Sequence, residues 1–333
     1  MMNSFFCAEE SQGAGEDLIG SAVAAEIYVL IECPPPWSAN AFDSKQVPTN
    51  LRTLVQELKQ DQRPIRPLLI YRDRSKQEHR TSVLIFRQQA GLSEGYSKQE
   101  FQVSSLDAVA PLVTEVLSNG DVHNEPVEIQ TKDILVCTHG SYDKCCAKYG
   151  QSFYRQAIST VAGLALNSEV RLWQASHIGG HRFAPTAIAF PDGRYYGRLN
   201  QETLTAILTR SGDIQCFNQV YRGWGVLPWA AQVVERELLL KHGWEWFDYQ
   251  VTGRVIDHNE DESHNRVELT FARLDDPEGG TASQHSLETY QADVIENANQ
   301  ALQLRGSCGS TDTYKMSQYM VQNLVRLSYS NIG

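Results

Sequence analysis

Two cysteines, Cys137 and Cys146, have eight residues between them, and two histidines further along, His177 and His181, have three. Thiolate and neutral imidazole are soft or borderline donors, so the four residues offer the ligand chemistry of a transition-metal centre. Whether they meet depends on the elements that carry them. Asp133 to His139 (DILVCTH) is a short apolar run with β-branched residues and reads as a strand. After the turn-like Gly140–Lys144 segment, Cys146 opens a run in which Phe153, Ala157, Ile158 and Val161 recur at helical spacing. A strand end and the following helix start lie on one edge of an α/β layer, so the two thiols can converge. Glu169 to Gln174 (EVRLWQ) predicts the next strand. The His177-Ile178-Gly179-Gly180-His181 loop then leaves the same edge, where sites gather in α/β folds. A spacing of four would suit one helix face, but the Gly-Gly pair predicts a loop.

Around these residues the order is β-α-β-β-β-α. It is completed by TAIAF, a Pro-Asp-Gly turn, YYGRL and the helix QETLTAILTRSG, which ends near Gly212. The first third shows the same order: EIYVLIE, a helix over LRTLVQELKQ with Asn50 as N-cap, the strands PLLIYR, TSVLIFR and EFQVSSL, and a helix from Asp107 to Gly120. The last third differs. Pro228 to His242 reads as a helix, EWFDYQVTGRVID, RVELTFARL and HSLETYQADVIE as antiparallel strands, DDPEGGTASQ as a loop, and YKMSQYMVQNLVRL as a closing helix. The expected fold class is α/β (α+β): two β-α-β-β-β-α units in tandem, then a smaller α+β segment. The expected divisions are 1–125, 126–213 and 214–333.

The chain has 333 residues, 41% hydrophobic and 21% charged, with 29 Lys and Arg against 40 Asp and Glu, a net charge of −11. Length alone allows two or three units of ~150 residues with real cores. The acidic balance argues against a duplex nucleic-acid binder, which needs a cationic footprint. No apolar run approaches the ~20 residues that span a bilayer. The opening MMNSFFCAEESQGAGED lacks the basic and apolar regions of a secretory signal. Seven cysteines with no CxxC pair fit neither a disulfide scaffold nor a redox dithiol. A cytoplasmic protein is the expectation.

The middle third resembles the thioredoxin-like [2Fe-2S] ferredoxins. In that family a first Cys pair sits around the first strand–helix loop, and a C-x3-C loop after the next strand supplies two more ligands. An Ala-Pro then leads into a strand and a Tyr-Gly-x-Leu. Phe183-Ala184-Pro185-Thr186 and Tyr196-Gly197-Arg198-Leu199 stand in those places, and His177 and His181 occupy the C-x3-C positions. The histidines make the chain resemble one branch, the sucrase/ferredoxin-like family, whose members pair C-x8-C with H-x3-H. CTHGSYDKCCAKYG and SHIGGHRFAPTAIAFPDGRYYGRL carry the likeness. It is looser at ECPPPWSANAF (Glu32 to Phe42) and VYRGWGVLPWAAQVVERE (Val220 to Glu237). The resemblance implies thioredoxin-like units and a [2Fe-2S] cluster on Cys137, Cys146, His177 and His181. It also implies one-electron transfer to a redox partner such as a flavin-dependent reductase.

The ligand set has its own consequences. Two thiolates on one iron and two neutral imidazoles on the other leave an oxidised cluster with a net charge near zero, against about −2 for four thiolates, which raises the potential as in Rieske centres. Reduction adds negative charge beside the imidazoles and raises their pKa. The potential should therefore fall by about 59 mV per pH unit between the two pKa values. Zinc on the same Cys2His2 set is an alternative. So is a sensor whose labile cluster reports redox state or iron. A hydrolase, which the family name evokes, needs two carboxylates across a groove, and no local pair nominates itself. No catalytic residue is assigned.

Cys145 is the rival to Cys146; adjacent side chains diverge, and the spacing favours Cys146. His139 forms a C-x-H with Cys137, half of a Rieske signature, and reads as a supporting or surface residue. Asp143, Lys144, Arg182 and Arg198 are supporting candidates from their proximity in sequence. Cys7, Cys33, Cys216 and Cys308 read as buried or incidental. His242, His258, His264 and His285 read as exposed, and Trp173 as core beneath the histidine loop.

Overall fold

A computed structural model describes residues 5–61, 63–73, 80–119, 127, 130–273 and 287–327. A short helix, α1 (Cys7–Gly13), precedes the first unit. That unit runs β1 (Ile27–Glu32), α2 (Thr49–Leu58), β2 (Ile65–Tyr71), β3 (Thr81–Gln88), β4 (Tyr96–Val103) and α3 (Val109–Asn119). The second repeats the order with β5 (Lys132–Cys137), α4 (Gln151–Gly163), β6 (Val170–Ala175), β7 (Ala187–Phe190), β8 (Arg194–Tyr196) and α5 (Gln201–Thr209). The fold class is α/β, as expected.

The repeat extends to topology. β1 pairs parallel with β2 and antiparallel with β3, which pairs with β4. β5 pairs parallel with β6 and antiparallel with β7, which pairs with β8. Each parallel pair is joined by a helical crossover, as parallel strands require. The units join where β2 meets β6 antiparallel, at Ile70 opposite Ala175 and Tyr71 opposite Gln174. With β9 (Tyr221–Trp224) they form one nine-stranded sheet of order β4-β3-β1-β2-β6-β5-β7-β8-β9.

Alternation along β1 shows what holds the units together. Val29 and Ile31 join Leu51, Leu54, Val55 and Val113 of α2 and α3 in one core. Tyr28 and Leu30 face the other way, into a larger core with Leu135, Trp173, Ile188 and Phe190 of the second unit. Burial on both faces explains the unbroken apolar run IYVLI. Phe86 of β3 stacks on Phe190 with ring centroids 4.3 Å apart. Arg171 of β6 reaches Glu100 of β4 at 2.7 Å. The two units therefore pack face to face across this core as well as edge to edge.

Beyond the units come α6 (Phe217–Val220) and α7 (Trp229–His242), then β10 (Tyr249–His258), β11 (His264–Arg273) and β12 (Glu288–Glu296). A two-stranded hairpin, β13 (Leu302–Arg305) with β14 (Thr313–Met316), leads to β15 (Tyr319–Leu327). Strands β10-β11-β12-β15 make a separate antiparallel sheet. Val267, Leu269, Val294 and others pack it against Leu238 and Leu239 of α7.

Three expectations are corrected. The segment from Tyr314 to Leu327 forms strands β14 and β15, not a helix. Met316, Met320, Leu324 and Leu327 mimic a helical stripe, but β15 pairs with β12, and a register shift opposite Gln291 and Asp293 resets its alternation. Asn50 lies inside α2, whose N-cap is Pro48; its amide reaches the Asp107 carbonyl instead. His242 is half-buried against Trp246, Tyr249 and Phe271. The DDPEGGTASQ loop and His285 lie outside the described residues. Among the described residues no helix is long and apolar enough to cross a membrane.

Candidate metal centre

β5 ends at Cys137, fully buried, and the chain returns through a loop to a π-helical turn at Cys146–Gly150 that leads into α4. Such turns recur at functional sites because they re-aim side chains. Cys146 is also fully buried, and its sulfur lies 3.2 Å from that of Cys137. A ring nitrogen of His177 lies within 4.8 Å of both sulfurs. The hydrogen bond with Cys146 and the His177 ring beside it hold the Cys137 thiol below its ordinary pKa. His177 Nδ1 is buried and has no hydrogen-bond partner among the described residues. A buried polar atom left without a partner costs ~1–3 kcal/mol, which a metal held beside the two thiols would relieve.

Gly150 sets the approach of helix to strand. A Cβ at this position would overlap the carbonyl oxygen of Cys137. Gly150→Ala should therefore displace Cys137, costing ~1–3 kcal/mol as overpacking does and weakening metal retention; denaturant melts with metal analysis check both.

The histidine loop is held from the first unit. Ser176 donates from its backbone to the Leu69 carbonyl at 2.8 Å, and its hydroxyl accepts from Leu69 N at 3.0 Å. His139, buried, accepts the His177 backbone N–H on Nδ1 at 3.1 Å, so its Nε2–H donates to the Ser38 carbonyl at 2.8 Å. Burial keeps its pKa below the ordinary imidazole value, which suits this neutral tautomer. Ser38 belongs to the loop after β1, so a stretch of only loose family likeness supports the site.

Two residues of this shell were not singled out by sequence. Tyr142, half exposed, stacks on His177 with centroids 3.7 Å apart and planes at 14°. Arg222, fully buried, donates to the Gly179 carbonyl at 3.0 Å and to the Ser21 carbonyl at 2.6 Å. Burial pushes its pKa down to about 10. Gly180, at φ +72°, passes so close that an added Cβ would lie 2.5 Å from the Arg222 guanidinium carbon. Tyr142 had a signal in its place between the two cysteines; Arg222 had only its place in the Val220 to Glu237 stretch of looser family likeness.

His181 begins a short 3-10 turn, with its ring 5.5 Å from that of His177. Its Nδ1 is turned toward Cys7 Sγ at 3.4 Å and Asp143 Oδ2 at 3.6 Å, outside the tight Cys137–Cys146–His177 group. Burial lowers the His181 pKa. Asp143 accepts the Cys145 N–H at 2.8 Å and the Cys308 N–H at 3.1 Å. Lys144 is exposed. Arg182 pairs with Glu16 at 2.6 Å, and Arg198 donates to Ser11 and the Glu16 carbonyl, so both tie the segment after α1 to the site's rim rather than reaching the thiols. Cys145 points away from Cys137, toward Cys7 and Cys308. Trp173 is core, as expected, donating to Asp133 at 2.7 Å.

A family model described as sucrase/ferredoxin-like matches residues 18–223. The chain is 28% identical over 106 residues to altered inheritance of mitochondria protein 32 of Meyerozyma guilliermondii, covering 29% of this chain and 38% of that protein, well under two thirds of the relative. Among solved structures, the wild-type thioredoxin-like [2Fe-2S] ferredoxin of Aquifex aeolicus is 16% identical, with a TM-score of 0.22, covering 24% of this chain and 84% of that one. A cysteine-to-serine variant of that ferredoxin matches with the same identity and coverage and a TM-score of 0.21.

Proposed function

The chain belongs to the sucrase/ferredoxin-like family, and we propose that it is an electron-transfer protein holding a [2Fe-2S] cluster on Cys137, Cys146, His177 and His181. The observation that carries this reading is the convergence of two buried thiols with a ring nitrogen of His177, a residue whose buried Nδ1 has no hydrogen-bond partner among the described residues. A cluster bound there supplies reversible one-electron chemistry. The chain's own part is to bury the two cysteines and leave the two histidines at the rim, half-buried. His139 and Arg222 fix the histidine loop. Tyr142 covers His177 and is itself exposed, so the histidine side is the face that a redox partner, such as a flavin-dependent reductase, approaches. A cleft of about 380 Å³ opens there, lined by His139, Tyr142 and His177 and flanked by Lys59 and Arg66. At this face the partner would present acidic groups, although the whole chain is acidic. We place the protein in a reducing compartment, the cytoplasm.

Iron and acid-labile sulfide per chain, with visible and EPR spectra of anaerobically purified protein, test the reading; about two of each are expected. A colourless, iron-free protein would overturn it. A second reading is a single zinc ion on Cys137, Cys146 and His177, favoured because their ligand atoms all lie within 4.8 Å of one another; it predicts metal without sulfide.

Histidine ligation makes a separate prediction. The potential should fall by about 59 mV per pH unit over the range in which an imidazole changes protonation between oxidised and reduced states. Replacing both histidines by cysteine should keep the cluster, lower the potential and abolish the slope. A wild-type potential that does not move with pH would exclude the histidines as ligands.

A further inference from the structure

Three other thiols meet beside this centre. Cys7 opens α1, Cys145 precedes the π-helical turn, and Cys308 lies between β13 and β14. Their sulfurs form a triangle with sides of 3.5 Å (Cys7–Cys145), 3.3 Å (Cys145–Cys308) and 3.6 Å (Cys7–Cys308). We propose that Cys7, Cys145 and Cys308, completed by the Asp143 carboxylate, form a second metal centre that binds one zinc ion. This centre does not depend on the iron–sulfur reading.

The geometry is close to that of a thiolate face. Zinc–sulfur bonds of ~2.3 Å in a tetrahedron place the sulfurs ~3.8 Å apart, so the observed triangle needs only a few tenths of an ångström of expansion. Asp143 lies on the open side, its Oδ1 3.9 Å from Cys7 Sγ. Its orientation is fixed by the backbone N–H groups of two of the thiol residues, Cys145 and Cys308. All four ligand atoms lie within 4.8 Å of one another, a span that suits one ion. The sulfurs are also supported as metal-bound thiolates are: Ala8 N donates to Cys145 Sγ at 3.4 Å and Cys7 N to Cys308 Sγ at 3.5 Å.

The fold gives such an ion a purpose. α1 has seven residues and each strand of the β13–β14 hairpin has four, too short to be stable alone. They meet each other through Arg305 N on Glu10 at 2.9 Å and meet the second unit at the thiol cluster. A closed four-ligand site staples all three, linking residues 301 positions apart. The adjacent pair Cys145-Cys146 then serves two centres, because neighbouring side chains diverge. His181, whose Nδ1 faces Cys7 and Asp143, stands between them.

The test is elemental analysis of the full chain, purified anaerobically from zinc-replete cells. About one zinc per chain is expected besides any iron, as for a closed structural site. Cys308→Ser and Cys7→Ser should each cut zinc at least about fivefold while iron and visible spectrum stay unchanged; Cys146→Ser should lose iron and keep zinc. If the serine variants fail to fold, cobalt loading of the chelator-stripped wild type replaces them, and thiolate-to-cobalt absorption from three sulfurs is the expected result. The proposal is overturned if wild type binds neither zinc nor cobalt. It is equally overturned if zinc survives Cys308→Ser but is lost with Cys146→Ser, or if native protein carries a disulfide among Cys7, Cys145 and Cys308. An iron-free wild type whose zinc is lost with Cys308→Ser would refute the electron-transfer reading and leave this one standing.

Discussion

Cys146→Ser is expected to give a colourless protein with iron reduced at least about tenfold, more than the loss typical of a residue that only supports a ligand, while Cys145→Ser keeps colour and iron. The two cysteines are neighbours in sequence and equally buried, so burial cannot separate them. Direction does. Cys146 Sγ lies 3.2 Å from Cys137 Sγ on the strand side. Cys145 Sγ lies 3.5 Å from Cys7 and 3.3 Å from Cys308, on the side of α1 and the hairpin. A serine at 146 would keep the shape but offer a harder oxygen donor that retains its proton, a poor match to iron beside a thiolate. Iron analysis and the visible spectrum of the two purified variants decide the matter. Colour lost in Cys145→Ser and kept in Cys146→Ser would reverse the ligand assignment.

The meeting of Cys137, Cys146 and His177 was legible because it depends on short-range rules. A strand end, the next helix start and the following strand end share one edge of an α/β layer, so spacing along the chain translates into proximity. The tandem repeat was legible for a related reason: each strand is signalled by its own apolar run, and the parallel pairs need a helix between them. What was hidden depends on contacts between distant segments. Nothing local marks Cys7 and Cys308 as partners, and each alone looks like an ordinary small hydrophobic residue. The same holds for Arg222, which reaches the histidine loop from β9, and for Ser38, which fixes His139 from another unit. β15 resembles a helix in sequence because Met320, Leu324 and Leu327, with Met316 before them, fall at helical intervals, whereas pairing with β12 decides its conformation. Local periodicity loses to the hydrogen bonds of a neighbouring strand.

Arg171→Met is expected to destabilise the protein by ~3–5 kcal/mol, the usual cost of removing one partner from a buried ion network. Arg171 makes four hydrogen bonds, two to Asp133 at 2.7 and 3.0 Å and two to Glu100 at 2.9 and 2.7 Å. Burial opposes its charge, and the two carboxylates outweigh that penalty, leaving its pKa above the ordinary value. Lys98 adds the second positive charge, 2.7 Å from Asp133 and 3.4 Å from Glu100. The four charges cancel, so the network is tolerable between the two units despite Asp133 and Glu100 being almost wholly buried. Methionine fills much of the arginine stem's volume but leaves two buried carboxylates facing a single ammonium. The cost should therefore be electrostatic rather than a packing loss. Combining Arg171→Met with Glu100→Gln leaves Asp133 facing Lys98 as a balanced pair at 2.7 Å and should recover part of the lost stability, measured by denaturant unfolding. If this double variant is no more stable than Arg171→Met alone, the cost lies in packing. Asp133 sits on β5, four residues before Cys137, and Trp173 on β6 donates to it, four residues before His177. The network thus anchors both strands that carry the candidate ligands, and Arg171→Met should loosen metal retention as well as the fold.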